Sequence, residues 1–449
     1  MPFVSNPAGE NPAGFFIITS MGDSYQTCLN EMYALRRFGI KLGLDTIRRI
    51  LAGLGNPQEH FNAIHVAGTN GKGSVAATLA SILNACGLRT GLYTSPHLVR
   101  FNERIVVDRQ PISDENVLSA YRAVKAAAKV DREPTFFEFA TAMAFHEFKC
   151  RRVDWAVVET GMGGRLDATN IIHPALSIIT NVSLEHREYL GRRISQIAGE
   201  KAGIIKKGVP VVTAVRQKTA IAVVESVAEK HSAQLFRLGK DFRMRRSAAD
   251  TVTYSGLTVR WQGLKTVLRG GHQLENTALA LAACEVLSPV IGTIDPECLQ
   301  KGLAETRWPG RLEQVLDRPL TLLDGAHNLI AARALGRYLK TGLAGRAITL
   351  VIGILDDKPY REILSALVPH CRRVILTRPK IDRALPPEKL IPAASELTAD
   401  WSVIPDVAAA VSHAINSAAP DDVVCIAGSL YVVGEAKAAL ENQAPPEPI

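Results

Sequence analysis

The segment HVAGTNGKGS, residues 65 to 74, joins a β-branched run to an Ala-rich helical stretch through a glycine turn. The N–H groups of such a turn and the N-terminus of the next helix form a cradle for anions. Lys72 can then reach the β and γ phosphates of a nucleotide. The usual phosphate loop has four residues between its glycines. Here Gly68 and Gly71 enclose only two, and Gly73 follows the lysine. Taken alone, the segment is also compatible with an ordinary turn.

Strands and helices alternate along almost the whole chain, which predicts an α/β fold. The first strand candidates are 62–68, 153–159, 175–181 and 209–215, and residues 251–261 alternate around Ser-Gly as a hairpin does. A second series lies at 320–328, 347–355, 372–377 and 421–429. We therefore predict a P-loop ATPase domain with a parallel-rich central sheet, followed by a smaller Rossmann-like α/β domain.

Composition sets the predicted domain boundaries. Residues 1–20 are rich in Pro, Gly and Asn and are predicted to be a flexible lead-in, with Met21 as an alternative start. The ATP-binding domain is predicted at 21–307 and the C-terminal domain at 308–437. Trp-Pro-Gly at 308–310 is a plausible hinge between them. Residues 438–449 end in a Pro-rich run and are predicted to be a disordered tail.

Charge and cysteine content narrow the class of protein. The 449 residues carry a net charge of +8, but the basic residues form dispersed doublets, and the densest cluster, KDFRMRR, lacks interleaved aromatics. We predict no nucleic-acid partner; a small polyanionic substrate explains the charge equally well. The apolar runs are shorter than the roughly 20 residues of a bilayer span, so no membrane partner is predicted. Seven scattered cysteines without a CxxC pair predict a reduced, cytoplasmic protein.

Polar residues follow two of the predicted strands, where an open α/β sheet binds its ligand. Glu159 ends one strand, and the glycines behind it allow a ligand to approach closely. His186 follows the strand candidate 175–181. Magnesium prefers oxygen ligands and keeps several waters, so one carboxylate and a few neutral groups suffice to hold it. On their own, these residues are also compatible with a strand terminus and a surface position.

The loop GTNGKGS resembles the P-loop of the Mur ligase superfamily, ATP-dependent enzymes that join an amino acid to a carboxylate. Its Lys-Gly-Ser ending is similar to that of the folylpolyglutamate synthase and dihydrofolate synthase family. The resemblance extends in the expected order from about residue 25 to residue 435, through TSPHLVRFNERI, TFFEFATAMAF, VVETGMGGRLDATN, TNVSLEHREYLG, GEKAGIIKKG, GGHQLENTALALAA, RWPGRLE, LLDGAHN and GSLYVVGEA. It implies a Mur-ligase-like fold for the two domains.

The resemblance also implies roles for individual residues of this chain. The implied ATP-binding residues are Gly68, Thr69, Asn70, Gly71, Lys72, Gly73, Ser74, Asn276, Arg311 and Asp324. The implied magnesium ligands are Ser95, Glu159 and His186. The implied contacts of a pteroate or folate substrate are Thr135, Phe136, Phe137, Glu138, Leu166, Asp167 and Ala168. The implied catalytic residues are Lys72, Lys201, His186, Asp324 and His327.

Three of these positions raise separate questions. Lys201 matches the lysine that Mur-type ligases carry as a carbamate, an anion that can hold a second magnesium; without the resemblance it is an ordinary helix-surface lysine. The family more often has Asp-His where this chain has Glu185 and His186, so the carboxylate reaches one methylene further. The aromatics of TFFEFATAMAF are also compatible with a helix core. Glu138 among them is harder to explain as packing.

The implied activity is ATP-dependent ligation of L-glutamate to dihydropteroate, or to the glutamate tail of reduced folates, through an acyl phosphate. ATP and two Mg²⁺ ions are the implied cofactors, and a monomer is favoured. Because Arg311 and Asp324 come from the domain junction, ATP-linked domain closure is expected. The alternatives are a P-loop ATPase or kinase that makes no amide, and another Mur-type amino-acid ligase. Mur ligases of the cell wall carry an additional domain before the loop, whereas 67 residues precede Gly68 here.

Overall fold

The computed structural model describes residues 24–39, 41–129, 132–247, 251–442 and 446–447. The predicted lead-in at 1–20 and the alternative start at Met21 lie outside these residues. The predicted α/β fold is confirmed, since two parallel-rich sheets of eight and six strands form the two halves of the molecule. A three-stranded antiparallel sheet accompanies the first of them.

The first sheet contains the strands that lead to the glycine loop and its neighbours. Its strands are Asn62–Ala67 (β1), Thr90–Tyr93 (β2), Ile105–Val107 (β3), Gln110–Pro111 (β4), Trp155–Glu159 (β5), Leu176–Ile179 (β6), Val211–Thr213 (β7) and Leu235–Arg237 (β8). Their order is β4-β3-β2-β5-β1-β6-β7-β8, and only β3 and β4, at one edge, run antiparallel to their neighbours. The carboxyl ends of β1, β2, β5 and β6 therefore lie at one edge of the sheet.

Ten α-helices belong to this half of the described chain. They are Tyr25–Ala34 (α1), Asp45–Gly53 (α2), Lys72–Ala85 (α3), Asp114–Ala127 (α4), Phe136–Cys150 (α5), Arg187–Leu190 (α6), Ile194–Ala202 (α7), Lys218–Lys230 (α8), Gly271–Ile291 (α9) and Pro296–Glu305 (α10). The antiparallel sheet consists of Arg243–Arg246 (β9), Val252–Ser255 (β10) and Arg260–Leu264 (β11). The hairpin predicted at 251–261 corresponds to β10 and β11.

The second half is a smaller sheet with helices on both faces. Its strands are Arg311–Asp317 (β12), Leu320–Asp324 (β13), Ile348–Ile352 (β14), Arg373–Leu376 (β15), Trp401–Val403 (β16) and Val423–Ala427 (β17). Its helices are Leu329–Gly342 (α11), Tyr360–Leu367 (α12), Ile391–Ser395 (α13), Val407–Asn416 (α14) and Leu430–Leu440 (α15). The strand order is β12-β13-β17-β14-β15-β16, with only β12 antiparallel to its neighbour.

Helix α3, which begins in the glycine loop, is the centre of the first half. Every residue from Gly73 to Leu83 is buried, because α3 packs against the sheet on one side and against α9 and α10 on the other. Gly302 of α10 lies so close to α3 that a Cβ at this position would be 2.5 Å from the Cα of Ile82. The Ser81 hydroxyl also donates a hydrogen bond to the Gly302 carbonyl at 2.7 Å. This contact fixes the helix that follows the loop.

The structure corrects two expectations from the sequence. Helix α15 runs to Leu440, beyond the predicted boundary at 437, and Glu447 of the predicted disordered tail hydrogen-bonds with the backbone N–H of Phe101. Cys86 and Cys298 form a disulfide between the end of α3 and α10, so the expectation of uniformly reduced cysteines is wrong for this pair. Helix α9 is long and apolar enough to cross a membrane, although 61% of its most apolar window is buried inside the protein.

The close contact of α3 and α10 predicts the effect of a single methyl group. Gly302→Ala should lower the free energy of unfolding by about 1–3 kcal/mol, because the new Cβ meets backbone that cannot move aside easily. Gly199→Ala is the matched control, since Gly199 also lies inside a helix, but a Cβ there would have only one neighbouring atom, at 4.0 Å. The control should be neutral or stabilise by up to about 1 kcal/mol. Urea unfolding checks both variants, and equal effects would contradict the packing argument.

Candidate functional site

A cleft of about 2290 Å³ separates the two halves of the protein. One wall is formed by the segments that follow β1, β2, β5 and β6, and the facing wall by the start of β12, the end of β13 and the first turns of α11. The residues predicted to bind ATP, magnesium and substrate line this cleft, with the exception of Gly68. Of the predicted catalytic residues, Lys201 alone lies behind the lining.

The short spacing of the glycine loop follows from what packs against it. Gly68 has a φ of +149°, and a Cβ there would overlap the hydroxyl of Thr180, at the end of β6. Gly71 has a φ of +86°, and a Cβ there would overlap the amide of Asn276 on α9. The structure thus places Asn276 against the phosphate loop. A side chain at either glycine would push the loop away from its support.

The unusual glycine after the lysine has its own partner. A Cβ on Gly73 would overlap the indole ring of Trp308, in the predicted hinge. Gly73 therefore lets the segment that connects the two halves rest directly on the first turn of α3. This packing gives a physical reason why the loop ends in Lys-Gly-Ser. It also brings the predicted hinge into direct contact with the loop.

Hydrogen bonds from the segment after β6 hold the loop backbone. The Asn181 side chain accepts from the N–H of Asn70 at 3.0 Å and donates to its carbonyl at 2.8 Å. The N–H of Ser183 donates to the Thr69 hydroxyl at 3.0 Å. From the second half, the Asn328 amide donates to the Asn70 side chain at 2.9 Å. The loop is therefore preorganised by both halves of the protein.

The loop lysine faces a buried carboxylate. Lys72 Nζ lies 3.7 Å from Glu159 Oε1, and Glu159 Oε2 accepts the N–H of Ser95 at 3.2 Å. Glu159 is only 4% exposed, so burial raises the pKa of its carboxyl, while Lys72 and the Ser95 N–H oppose the shift. A buried carboxylate next to a lysine, with Ser95 adjacent to that carboxylate, suits a hydrated cation and a phosphate chain.

Lys201 and His186 lie on the side of β6. Lys201 is 2% exposed and donates to the Gly68 carbonyl at 2.8 Å, so it is a buried lysine at the loop rather than a surface one. Burial and the nearby Lys72 lower the pKa of Lys201 to about 7. His186 lies 3.6 Å from Glu185, which opposes the effect of burial in lowering the pKa of the imidazole.

The donor set fits a cation that is shared with phosphate and water. Within the residues that the structure describes, no three His, Cys, Asp or Glu side chains stand close enough to hold a metal alone. Ser95 and Glu159 are already adjacent, and Mg²⁺ needs only one or two carboxylates when phosphate oxygens supply further ligands. The direct contact that the structure gives His186 is with Glu185, so its role as a ligand stays a prediction.

Arg311 of β12 lies within electrostatic reach of a carboxylate from each half. Burial lowers the pKa of Arg311, while Asp324 and Glu159 act in the opposite direction. Asp324 accepts the N–H groups of Leu312 and Ala326, each at 3.0 Å. Its two oxygens thus brace the turn after β13, and its contact with ATP stays a prediction.

His327 follows the same turn with a defined tautomer. Its Nδ1 lies 2.8 Å from the carbonyl of Gly325, so Nδ1 carries the hydrogen and Nε2 is left as an acceptor. Burial lowers the pKa of His327, which keeps the ring neutral near pH 7. A neutral imidazole that lines the cleft can take up a proton from a reacting group.

The aromatic wall of the cleft begins at the N-terminus of α5. Thr135 caps the helix, and its hydroxyl accepts the N–H of Glu138 while the Glu138 carboxylate accepts the N–H of Thr135 at 2.8 Å. Arg132 also binds this carboxylate with both guanidinium nitrogens. Glu138 is therefore explained by helix capping and an ion pair rather than by packing, and its contact with a substrate stays a prediction. Phe136 and Phe137 line the cleft beside it.

A chain of buried hydrogen bonds, which the sequence does not reveal, holds the Asp167 side chain. Its carboxylate accepts the N–H of Met162 at 2.8 Å and the N–H and hydroxyl of Thr169. His65 Nε2 lies 2.8 Å from the same hydroxyl and must donate to it, because the hydroxyl hydrogen points to Asp167. Burial raises the pKa of Asp167, whereas these donors lower it.

Comparison with known proteins places the chain in a family. Residues 66–284 match the Mur ligase middle domain, and residues 310–430 match the Mur ligase, glutamate ligase domain. A Bacillus subtilis dihydrofolate synthase/folylpolyglutamate synthase is 36% identical over 432 residues, which cover 94% of this chain and 100% of that protein. The chain belongs to the dihydrofolate synthase/folylpolyglutamate synthase family. The resemblance drawn from the loop and its accompanying motifs is thereby confirmed.

Further members of the dihydrofolate synthase/folylpolyglutamate synthase family agree in sequence and fold. The folylpolyglutamate synthase of Lacticaseibacillus casei is 38% identical over 406 residues, covering 88% of this chain and 93% of that protein. The structure of E. coli FolC in complex with DHPP and ADP has a TM-score of 0.86 at 29% identity, covering 93% of this chain and 98% of that one. Mycobacterium tuberculosis folylpolyglutamate synthase complexed with ADP also has a TM-score of 0.86, at 32% identity, covering 94% and 100% of the two chains.

The pairing of Lys72 with Glu159 predicts non-additive stabilities. Lys72→Met and Glu159→Gln should each lower the free energy of unfolding, because each leaves one buried charge without its partner. The double variant should recover part of the loss, with an interaction energy of about 0.5–3 kcal/mol. Urea unfolding of the four proteins measures it. Strictly additive losses would show that the 3.7 Å separation carries no coupling.

Proposed function

We propose that the protein is an ATP-dependent ligase that joins L-glutamate to dihydropteroate or to the glutamate tail of a reduced folate. The observation that carries the proposal is the shared cleft. The phosphate loop with Lys72, the buried Glu159, Arg311 of the second half and the aromatic wall at Phe136 all line it. The full-length similarity to dihydrofolate synthase/folylpolyglutamate synthases supports the same substrates.

The chemistry explains why such a cleft is needed. A carboxylate resists attack by an amine because it is negatively charged and its oxygen is a poor leaving group. Transfer of the γ-phosphoryl group of ATP to the carboxylate creates an acyl phosphate, which is a good electrophile. That transfer depends on positioning and on neutralising the phosphates. The loop N–H groups, Lys72 and Arg311 can supply both from the two walls of the cleft.

Magnesium belongs to this proposal as a cofactor. Ser95 and Glu159 would hold one ion together with phosphate oxygens and water, and His186 would need to turn from Glu185 to join them. A second ion would require a carbamylated Lys201. When bound, the ions neutralise charge on the transferring phosphate.

The amine of glutamate must lose a proton before or as it attacks. His327 is suited to receive it, since Nδ1–H is committed to the Gly325 carbonyl and Nε2 is free of that hydrogen bond. Water must be kept from the acyl phosphate meanwhile. The hydrogen bond from Asn328 to the Asn70 side chain supports closure of the second half over the loop. Both walls come from a single chain, which supports a monomer, and a cytoplasmic location stays a prediction.

The decisive experiment identifies the product. The purified protein is given ATP, Mg²⁺ and L-glutamate, with dihydropteroate or tetrahydrofolate as separate acceptors, and the products are weighed by mass spectrometry. We expect an acceptor extended by one glutamyl residue, with phosphate release that requires glutamate. Lys72→Met should reduce the rate by on the order of 10²-fold or more.

The controls separate the alternatives. Lys240→Ala removes an exposed lysine outside the cleft and should leave the rate unchanged. Phosphate release without glutamate would identify an ATPase, and a phosphorylated acceptor without amide would identify a kinase. An amide formed only with other acceptors would identify a different Mur-type ligase.

The buried lysine predicts a pH-dependent modification. Since the pKa of Lys201 is lowered to about 7, its amine is neutral above that pH and can react with CO₂. Carbamylation and ligation should therefore both rise as the pH increases from about 6 to 8 in bicarbonate. With ¹³C-bicarbonate, NMR should show a carbamate signal that Lys201→Arg removes. A signal that survives in Lys201→Arg would assign it elsewhere, for example to the half-buried Lys206.

A further inference from the structure

A buried arginine lines the acceptor side of the cleft, and in the part of the chain that the structure describes no carboxylate forms an ion pair with it. Arg104 is 3% exposed, and its guanidinium carbon lies 5.1 Å from the centre of the Phe136 ring. Its Nε donates to His97 Nδ1 at 2.8 Å. The adjacent Glu103 instead accepts the N–H groups of Leu98, Val99 and Arg100, just before the 3₁₀ turn that contains both Glu103 and Arg104.

Electrostatics make this arrangement costly without a ligand. A buried cation is destabilising unless it is paired with an anion or fully hydrogen-bonded, and the hydrogen bond at Arg104 Nε goes to an imidazole rather than to a carboxylate. Burial lowers the pKa of Arg104 and the positive charge of Arg36 lowers it further, whereas Tyr93, Tyr33 and the Glu103 carboxylate act in the opposite direction. The Arg36 guanidinium lies 4.9 Å from the same Phe136 ring. Two guanidinium groups beside one aromatic ring at the cleft wall suit an anionic ligand that also carries a flat ring.

The position of Arg104 indicates that its anionic ligand is a different group from the carboxylate that reacts with ATP. Its carbonyl accepts the N–H of Thr94, the residue before Ser95, so the arginine begins next to the predicted magnesium site. The cations that act on Glu159 are Lys72 and Arg311, and these serve the phosphates and the carboxylate being activated. Arg104 extends instead along Phe136. A second carboxylate on the acceptor, near the reacting one, would meet it there.

The two candidate acceptors differ in whether they carry a second carboxylate. Dihydropteroate has one carboxylate, which is the group that must be phosphorylated. A reduced folate presents the γ-carboxylate of its glutamyl residue for reaction and carries in addition an α-carboxylate a few bonds away. We propose that Arg104 binds this α-carboxylate and so determines the use of glutamylated acceptors. The inference rests on the proposed function and deepens it.

Glu447 near the C-terminus contacts His97, the residue that accepts a hydrogen bond from Arg104. The Glu447 carbonyl lies 3.4 Å from His97 Nε2, so the ring that accepts from Arg104 is itself held by the tail. Glu447 is anchored by its N–H to the Val99 carbonyl at 2.8 Å, and its carboxylate accepts from the Tyr25 hydroxyl at 2.9 Å. His97 and Glu447 are therefore positioning residues for the arginine.

The test measures two acceptors with one variant. In Arg104→Gln, the KM for tetrahydrofolate should rise on the order of 10-fold or more, as expected for loss of a charge-assisted hydrogen bond. The KM for dihydropteroate should stay within about twofold, because that acceptor has no second carboxylate. Arg104→Lys should restore part of the loss. Arg89→Gln is the matched control, since it removes an exposed arginine outside the cleft.

A change in the substrate makes the assignment specific. Tetrahydrofolate with its α-carboxylate converted to an amide should bind the unaltered protein as weakly as tetrahydrofolate binds Arg104→Gln. The same amide should lose nothing further in the variant, because the partner is already absent. Glu447→Ala should raise the KM for tetrahydrofolate by a few-fold without changing that for ATP. A merely structural arginine would affect both acceptors and ATP together.

The outcomes are separable from those of the proposed function. Equal changes for both acceptors, no change for tetrahydrofolate, or a further loss with the amide would each overturn the role of Arg104. If the unaltered protein extends dihydropteroate but not tetrahydrofolate, the ligase stands and this inference fails. If it extends neither, the proposed function fails and the inference falls with it. An unchanged KM in Glu447→Ala would remove the tail from the proposal.

Discussion

Close packing around the glycine loop is the constraint on which the rest of the structure depends. Its three glycines admit three different neighbours: Thr180 from β6, Asn276 from α9 and Trp308 from the hinge. Because each neighbour belongs to another part of the chain, the loop can take its shape only when those parts are assembled. Helix α3, which is buried from Gly73 to Leu83, then carries that shape into the core. Phosphate binding and folding of the first half therefore depend on the same contacts.

Much of the architecture could be predicted from the sequence because the central strands are β-branched runs bounded by turns. The strands β1, β5, β6 and β7, and four of the second sheet, fall within predicted segments. The strands β2, β8 and β16 are not predicted because their sequences, Thr-Gly-Leu-Tyr, Leu-Phe-Arg and Trp-Ser-Val, lack the β-branched run that marks the equally short β7. The pairing of Cys86 with Cys298 spans 212 residues and leaves no local signal.

The residues that line the cleft could be predicted from the sequence, but the hydrogen bonds that connect them could not. Motif order brought the right segments together, since the ends of parallel strands share one edge of a sheet. The hydrogen bonds that hold these segments together could not be predicted. Those of Asn181 and Asn328, and the one between His65 and Thr169, join residues that are distant in sequence. Glu138 did carry a local signal, because Thr-Phe-Phe-Glu is a capping-box pattern. The burial of Lys201 behind Gly68 becomes visible only in three dimensions.

The contact of Asn328 with Asn70 brings two helices from different halves to one point. Gly71 is the N-cap of α3 and Asn328 is the N-cap of α11, so both helices direct their amino ends at the loop. Each end contributes roughly half a positive elementary charge through the aligned peptide dipoles. A polyphosphate in the cleft would therefore feel the field of both helices at once, and separating the halves would remove one of them. The negative charge of a bound nucleotide can in this way attract both helix ends and hold the two halves together.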